Sequence, residues 1–320
     1  MKAITVSEYG NPDVLKYTTV DKPVLKEGEV LIKNKFAGIN YADILLRKGL
    51  WPSTLPLNLG YEGSGTIEEI YQGTTTDFKV GDKVCYFAQS GGYAEYIAIP
   101  AMNLITIPEG ITYEQAASIP VIGVTAYMLT HLAYQLKEGD WCLIHGGAGA
   151  VNSMAIQMAK IVGATVITTV STEKKAKIVK ELGADHIIMY TQEDFVEKVL
   201  ELRPNGVDLV IDGVGKTTFK GSIKVVKKRG TFLNYGGASG FPEPFMPFDL
   251  KNSINFCFPS MFDFATEKGF APYLDTCFKW ILAGKLKIQQ GSIKPLSKAN
   301  ELHSEIEGRK SLGKLLLQMD

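Results

Sequence analysis

The chain has 320 residues, of which 45% are hydrophobic and 21% are charged. These values are typical of globular proteins and exclude disordered, collagen-like and membrane-embedded classes, while the length predicts two domains. Lys plus Arg and Asp plus Glu each total 34, so no net charge draws the chain to phosphate backbones or anionic membranes. Nucleic acid is therefore not expected as its main partner.

The amino-terminal segment carries Glu8 and Asp13, where a signal peptide needs an uninterrupted apolar stretch. No later segment offers a charge-free apolar run of membrane-spanning length. We therefore expect a cytoplasmic protein with no membrane partner. The four cysteines show no CxxC spacing and the four histidines form no local cluster, so the sequence predicts neither a disulfide framework nor a metal site.

The first part of the chain, from about Gly28 to Pro108, consists of short apolar runs separated by turn residues. This pattern predicts strands in an all-β unit. Gly81-Asp82 is typical of a hairpin turn, because glycine accepts a positive φ at little steric cost.

The hydrophobic period changes after Pro108, because Tyr113 to Tyr134 carries apolar residues at helical spacing. Strands and helices then alternate. The predicted strands are Trp141–His145, Thr165–Val170, His186–Tyr190, Val207–Asp212, Thr231–Tyr235 and Ile254–Phe258, and the predicted helices are Ser153–Val162, Glu173–Glu181, Asp194–Arg203 and Phe219–Val226. Such alternation predicts a doubly wound α/β architecture with a parallel sheet, which is typical of nucleotide binding.

The carboxyl-terminal segment is too small to be a third domain. It predicts one amphipathic helix, Tyr273–Ala283, a short run at Ile288–Ser292, a helix at Ala299–Ile306 and a closing strand, Gly313–Gln318. The economical solution is that it returns to complete the amino-terminal β-unit. We therefore predict one domain from residues 1–118 and 260–320, with a nucleotide-binding domain of residues 119–259 inserted between them.

The strongest local motif is a glycine turn between an apolar strand and a helix, HGGAGAVNSMAIQ. Gly147 and Gly149, followed by Ala150 and Val151, would let the backbone approach a dinucleotide pyrophosphate at a helix amino terminus. Asn152 stands at the third glycine position of GxGxxG. This departure either shifts the helix slightly or places a carboxamide near the phosphates.

The end of the next strand predicts which dinucleotide is bound. NAD enzymes usually place an acid there to bind the ribose 2′-hydroxyl, whereas this chain reads Ser171-Thr172-Glu173-Lys174-Lys175. Hydroxyl and ammonium groups suit a 2′-phosphate, so the sequence favours NADPH. The alternative is that the two lysines simply form a solvated first turn of the helix.

Segments along the whole chain, including AGINYADILLRKGLWP, GYEGSGTIEEI, QAASIPVIGVTAY, DLVIDGVG and EGRKSLGKLLL, resemble the quinone oxidoreductases related to zeta-crystallin, within the medium-chain dehydrogenase/reductase superfamily. The resemblance implies a GroES-like β-rich domain flanking an inserted Rossmann domain. It also implies a zinc-free enzyme, because Asn40 and Tyr61 stand where zinc-dependent relatives have Cys and His. The third ligand, a Cys after Pro120, is absent as well.

By the same resemblance, the nicotinamide is expected in a cleft between the domains, near Asn40, Tyr41 and Thr125. The resemblance implies that the 2′-phosphate meets Ser171, Lys175, Tyr190 and Arg309, and that Gly213, Tyr235, Gly236 and Gly237 line the groove at the ends of later strands. The alternatives are ordinary strand-end turns for the glycines and a solvated surface charge for Arg309.

Three residues are candidates for the substrate wall. Asn40 would donate a hydrogen bond to the carbonyl oxygen that gains charge, and Trp51 would stack on a planar ring. Asp43 either takes part in proton transfer or holds the loop through backbone hydrogen bonds.

The sequence thus predicts metal-independent hydride transfer from NADPH to a quinone or another conjugated carbonyl. One alternative is reduction of the double bond of an enone, enal or enoyl thioester. An alternative of a different class is an NADPH-binding structural or RNA-associated protein without significant turnover. The apolar segment INFCFPSMFDF suits either a buried sixth strand or an edge strand paired across a two-fold axis, and we expect a homodimer.

Overall fold

The computed structural model describes residues 1–51 and 53–319 and divides into two compact packing units. The first comprises Met1–Gly123, Thr266–Leu282 and Ile288–Asp320, and the second comprises Val124–Ala265 and Ala283–Lys287. The domain boundaries drawn from the sequence stay a prediction.

The described residues form sixteen strands and nine α-helices. The strands are β1 (Lys2–Val6), β2 (Lys16–Thr19), β3 (Glu29–Ile39), β4 (Leu57–Asn58), β5 (Glu62–Ile70), β6 (Lys83–Phe87), β7 (Tyr96–Pro100), β8 (Leu104–Thr106), β9 (Trp141–Ile144), β10 (Thr165–Val170), β11 (His186–Met189), β12 (Val207–Asp212), β13 (Val226–Asn234), β14 (Asn255–Cys257), β15 (Gln290–Pro295) and β16 (Lys314–Gln318). The helices are α1 (Tyr41–Arg47), α2 (Tyr113–Ser118), α3 (Pro120–Tyr127), α4 (Ala150–Ile161), α5 (Glu173–Glu181), α6 (Phe195–Leu202), α7 (Phe219–Val225), α8 (Ala271–Leu282) and α9 (Ala299–Glu307).

The first unit is built on a sheet of order β15-β16-β3-β5-β6-β8, with β7 also pairing β3. A second, three-stranded sheet has the order β2-β1-β4. β16 pairs antiparallel with β3, placing Leu315 opposite Ile39. The carboxyl-terminal strand therefore completes the amino-terminal sheet, and it brings Lys314 beside the end of β3.

The second unit holds a parallel sheet of order β11-β10-β9-β12-β13-β14. All six residues of β12 are buried, as expected for a central parallel strand covered on both faces. The predicted fold class, a β-rich unit with an α/β doubly wound unit, is confirmed. β14, the strand predicted from the apolar segment, lies at one edge of this sheet.

Two predicted element starts were wrong by three residues or more. α4 begins at Ala150, three residues before the predicted Ser153, because Gly149 already has the extended conformation of a helix cap. β13 begins at Val226 rather than at Thr231, directly where α7 ends. The first error arose where small residues carry no clear period, and the second arose where the charged residues Lys227, Lys228 and Arg229 interrupt the apolar pattern of the strand. Within the described residues, no helix combines the length and apolarity needed to cross a membrane.

Candidate functional site

The glycine turn joins β9 to α4 in the second unit. Gly146 has a φ of +66°, a left-handed conformation that favours glycine. A Cβ atom on Gly147 would lie 2.1 Å from Thr168 Oγ1 of β10, so only glycine lets the turn lie against that strand. Gly149 caps α4, and Ala150 and Val151 form its first turn. Amides of a first helical turn have no intrahelical acceptor, which suits them to bind an anion.

Asn152, at the third glycine position, holds the turn in place. Its Nδ2 donates hydrogen bonds to the carbonyl oxygens of His145 at 2.6 Å and Gly146 at 3.3 Å. Its Oδ1 accepts a hydrogen bond from the Tyr235 hydroxyl at 2.7 Å. The carboxamide is buried and engaged with the protein, so the expectation that it faces the phosphates is not supported. A hydrogen bond ties helix to strand here, where glycine normally allows direct packing.

A network of buried hydrogen bonds, which sequence reasoning missed, lies next to the same turn. The His145 ring contacts Thr169 Oγ1 and Ser222 Oγ, both at 3.1 Å, and Ser222 donates to Asp212 Oδ2 at 3.0 Å. Burial lowers the pKa of His145, which favours the neutral imidazole. Asp212 also accepts from the backbone amides after β12, at Val214 and Gly215. The only sequence signal was a histidine and an aspartate at the ends of apolar strands.

A small cavity of about 50 Å³ lies between the glycine turn and the end of β10. Thr172 caps α5 by accepting a hydrogen bond from the amide of Lys175 at 3.3 Å. Three of the residues predicted to bind the 2′-phosphate, namely Ser171, Lys175 and Tyr190, meet the glycine turn at this cavity. The full lining is Gly146, Ala148, Gly149, Thr169, Val170, Ser171, Lys175 and Tyr190. Its size suits a phosphate group rather than a whole dinucleotide.

The predicted groove glycines cluster at the carboxyl ends of β12 and β13. A Cβ atom on Gly213 would lie 2.7 Å from the Tyr235 ring, and one on Gly236 would lie 3.0 Å from the Gly213 carbonyl oxygen. Gly237 similarly packs against the backbone of Gly240. Burial raises the pKa of Tyr235, so its hydroxyl keeps the proton that it donates to Asn152. Close packing is sufficient to account for these glycines, and their contact with a cofactor stays a prediction.

In the first unit, Asn40 lies at the end of β3 in a buried cluster with Glu62 and Lys314. The Asn40 Nδ2 donates to Glu62 Oε1 at 2.8 Å, and the Lys314 Nζ donates to Asn40 Oδ1 at 2.7 Å. Lys314 and Glu62 form an ion pair, and both are 0% exposed, whereas Asn40 keeps 8% exposure. Sequence reasoning missed the pair, although both residues lie in the motifs GYEGSG and SLGKLLL.

Asp43, in the first turn of α1, ties two backbone segments together. One carboxylate oxygen accepts from the Asn40 amide at 2.8 Å, and the other accepts from the Gly60 amide at 3.0 Å. Burial raises the pKa of Asp43 to about 6, against the lowering effect of these backbone hydrogen bonds. The geometry favours the loop-holding role, and a role in proton transfer stays a prediction.

The remaining predicted residues are divided between the two units. Tyr41 begins α1, and Trp51 is 39% exposed just after that helix. Thr125 lies in the second unit, where its hydroxyl donates to the Met261 sulfur at 3.7 Å. Arg309 belongs to the first unit, whereas the cavity with Lys175 belongs to the second.

The residues at the zinc-ligand positions are hydrogen-bonding groups. Asn40 supplies a carboxamide, and Tyr61 supplies a phenol whose pKa is raised to about 12 by burial, so both can donate a proton in a hydrogen bond at neutral pH. Neither replaces thiolate or imidazole as a zinc ligand. Across residues 1–51 and 53–319, no group of three or more His, Cys, Asp or Glu side chains is arranged to hold a metal ion.

A parallel doubly wound sheet with a glycine turn at a helix amino terminus, joined in one chain to a β-rich unit, defines the class of two-domain dinucleotide-binding oxidoreductases. Comparison with known families agrees with this class. Residues 26–109 match the alcohol dehydrogenase GroES-like domain, and residues 150–269 match the family described as zinc-binding dehydrogenase.

Similarity extends over the whole chain. A probable quinone oxidoreductase of Schizosaccharomyces pombe is 35% identical over 98% of this chain and 96% of its own length, and a 2-haloacrylate reductase of a Burkholderia species is 32% identical over 98% of both. The structure of a mycobacterial protein complexed with NADPH is 38% identical with a TM-score of 0.96, covering 99% of this chain and 100% of that one. The chain belongs to the zinc-free quinone oxidoreductase family of the medium-chain dehydrogenases/reductases, and it is an oxidoreductase.

Proposed function

We propose that this enzyme uses NADPH to reduce a quinone or another conjugated carbonyl compound without a metal ion. The observation that carries the cofactor assignment is the cavity where Ser171, Lys175 and Tyr190 meet the glycine turn. It offers hydroxyl groups and an ammonium group, which are the donors that a 2′-phosphate needs, and none of the described residues that line it carries a carboxylate. The similar mycobacterial protein, which binds NADPH, supports the same cofactor.

The chain's own residues fit a dinucleotide in the second unit. A Cβ atom at Gly147 would fill the space against Thr168, and the first turn of α4 supplies amides for the pyrophosphate. Asn152 and the hydrogen bonds that link His145 to Asp212 through Ser222 hold that turn in place. When bound, NADPH would supply the hydride, and the protein would orient the reactants and exclude water.

On the substrate side, Asn40 is the proposed donor to the oxygen that gains charge. Asn40 keeps some exposure whereas Glu62 and Lys314 have none, and a preorganised donor of this kind stabilises an oxyanion better than mobile water does. The exposed ring of Trp51 is available to stack on a planar acceptor. Protonation of the product oxygen is assigned to water or to a nearby hydroxyl.

The second candidate is reduction of a carbon-carbon double bond conjugated to a carbonyl or carboxyl group. The similarity to a 2-haloacrylate reductase favours it, because a haloacrylate is such a conjugated acceptor. Asn40 would serve both reactions, since charge develops on an oxygen atom in each. The two candidates therefore differ in the acceptor and share the site.

The test is a side-by-side assay of NADPH and NADH oxidation with a quinone, an enone, a haloacrylate and an enoyl thioester. We expect NADPH to be the better donor and the quinone to give the highest kcat/KM. A preference for the enone or the haloacrylate would establish the second candidate, and a preference for NADH would contradict the cofactor assignment.

We also propose that the enzyme is a homodimer paired through β14. This strand is at the edge of the parallel sheet, and such an edge has unpaired backbone groups that a second copy can satisfy. Light scattering at micromolar concentration should give twice the mass of the 35.1 kDa chain. A monomeric mass would contradict the proposal.

A further inference from the structure

Nearly every polar group in the side chains of the buried Asn40, Glu62 and Lys314 cluster has a hydrogen-bond partner. Lys314 uses its three N–H donors on the Ile39 carbonyl oxygen at 2.9 Å, on Asn40 Oδ1 and on Glu62 Oε1. The other oxygen of Glu62 accepts from the Val121 amide at 2.7 Å. Of the side-chain N–H groups of Asn40 and Lys314, only the second Nδ2 hydrogen of Asn40 has no acceptor among the described residues, and Asn40 is the only one of Asn40, Glu62 and Lys314 that keeps any exposure.

The charges of this cluster select one orientation of the carboxamide. An ammonium group can only donate and a carboxylate can only accept. Turning the Asn40 carboxamide by 180° would place its NH₂ against Lys314 and its oxygen against Glu62, giving two repulsive contacts in a buried site. The observed orientation therefore aims the remaining N–H away from the ion pair.

We propose that Lys314 and Glu62 are positioning residues that lock the Asn40 carboxamide, so that its second N–H is held ready for the substrate oxygen. The inference rests on the proposed function and adds two residues to that site. Neither is expected to touch substrate, because both are fully buried. Their effect on the rate should pass entirely through Asn40.

The test is a double-mutant cycle on kcat with NADPH and a quinone. Asn40→Ala removes the donor and should lower kcat about 100-fold, as loss of one oxyanion donor does. Lys314→Met should lower kcat about 10- to 100-fold, with the KM for NADPH unchanged, because Asn40 Oδ1 then loses its donor and only the contact with Glu62 still holds the carboxamide. Asn40→Ala/Lys314→Met should be no slower than Asn40→Ala alone. Wild-type kcat in folded Lys314→Met, or multiplicative losses in the double variant, would overturn the proposal.

Two controls separate positioning from loss of stability. Leu316→Ala truncates an equally buried side chain on the same strand and should keep kcat within about twofold while lowering the melting temperature. If Lys314→Met does not fold, Glu62→Gln/Lys314→Met removes both charges together, a change that buried pairs tolerate better. Its kcat should show the same dependence on Asn40.

A readout independent of turnover distinguishes this proposal from the proposed function. The side-chain amide NMR signals of Asn40, assigned by their loss in Asn40→Ala, should shift and broaden in Lys314→Met. Unchanged signals would overturn the positioning role, even if the enzyme reduced no quinone. Absence of NADPH oxidation by the wild type with every acceptor would instead refute the proposed function alone.

Discussion

Replacement of Lys175 by alanine tests the cofactor assignment most directly. Lys175 is the one cation among the described residues that line the cavity beside the glycine turn. A hydrogen bond to a charged group contributes about 1.5–3 kcal/mol, which corresponds to an affinity change of about 10- to 150-fold. Because the cavity opens to solvent, we expect the lower half of this range for the NADPH dissociation constant, and a change under about twofold for NADH.

Lys174→Ala is the matched control. It removes the same charge at the neighbouring position, and the Lys174 side chain does not line the cavity. Fluorescence titration with both coenzymes at low and high salt measures the effect. Only Lys175→Ala should lower the ratio of NADPH to NADH affinity, and the difference should shrink as salt increases. Equal losses for both coenzymes, or equal effects of both substitutions, would refute the 2′-phosphate assignment.

Two further predictions concern stability. Asn152→Ala leaves the Tyr235 hydroxyl and two carbonyl oxygens of the turn without their hydrogen-bond partner, so it should lower the free energy of unfolding by about 2–3 kcal/mol. It should weaken the binding of NADPH and NADH equally. A selective loss of NADPH binding would show instead that the carboxamide contacts the 2′-phosphate. Asp43, whose pKa rises on folding from 3.8 to about 6, contributes stability that is present below about pH 4 and is lost as pH increases through 6. Its ionisation should therefore cost about 3 kcal/mol, and the free energy of unfolding of wild type should fall relative to that of Asp43→Asn between pH 4 and pH 7; parallel curves from denaturant titrations would contradict this.

The fold class was predictable because its signals are local and repeated. Strand-helix alternation identified the parallel sheet, and the glycine turn was located from its flanking apolar strand. The start of α4 was less accessible, because Ala150 and Val151 are compatible with both a loop and a first turn. The residues brought to the cavity, Ser171, Lys175 and Tyr190, were inferred from strand ends and family resemblance.

The polar network of the first unit could not be inferred from sequence, since its partners are far apart along the chain. Lys314 and Asn40 are 274 residues apart and meet only because β16 pairs with β3. A lysine near the carboxyl terminus is ordinarily a solvated charge. Only its complete burial beside Glu62 distinguishes it.

In the proposed site, hydrogen-bond donors in place of zinc ligands would also limit the substrate. A metal ion polarises an ordinary ketone by direct bonding to its oxygen, whereas a neutral donor, the role proposed for the Asn40 N–H, would supply only about 2.7–4 kcal/mol toward an oxyanion. The rest of the stabilisation must come from the substrate itself, by spreading charge over a conjugated system. Quinones, enones and haloacrylates meet this requirement, and simple aliphatic ketones do not. We therefore expect an aliphatic ketone to be reduced at least about 100-fold more slowly than a quinone, and comparable kcat/KM values for the two would contradict a donor-only site.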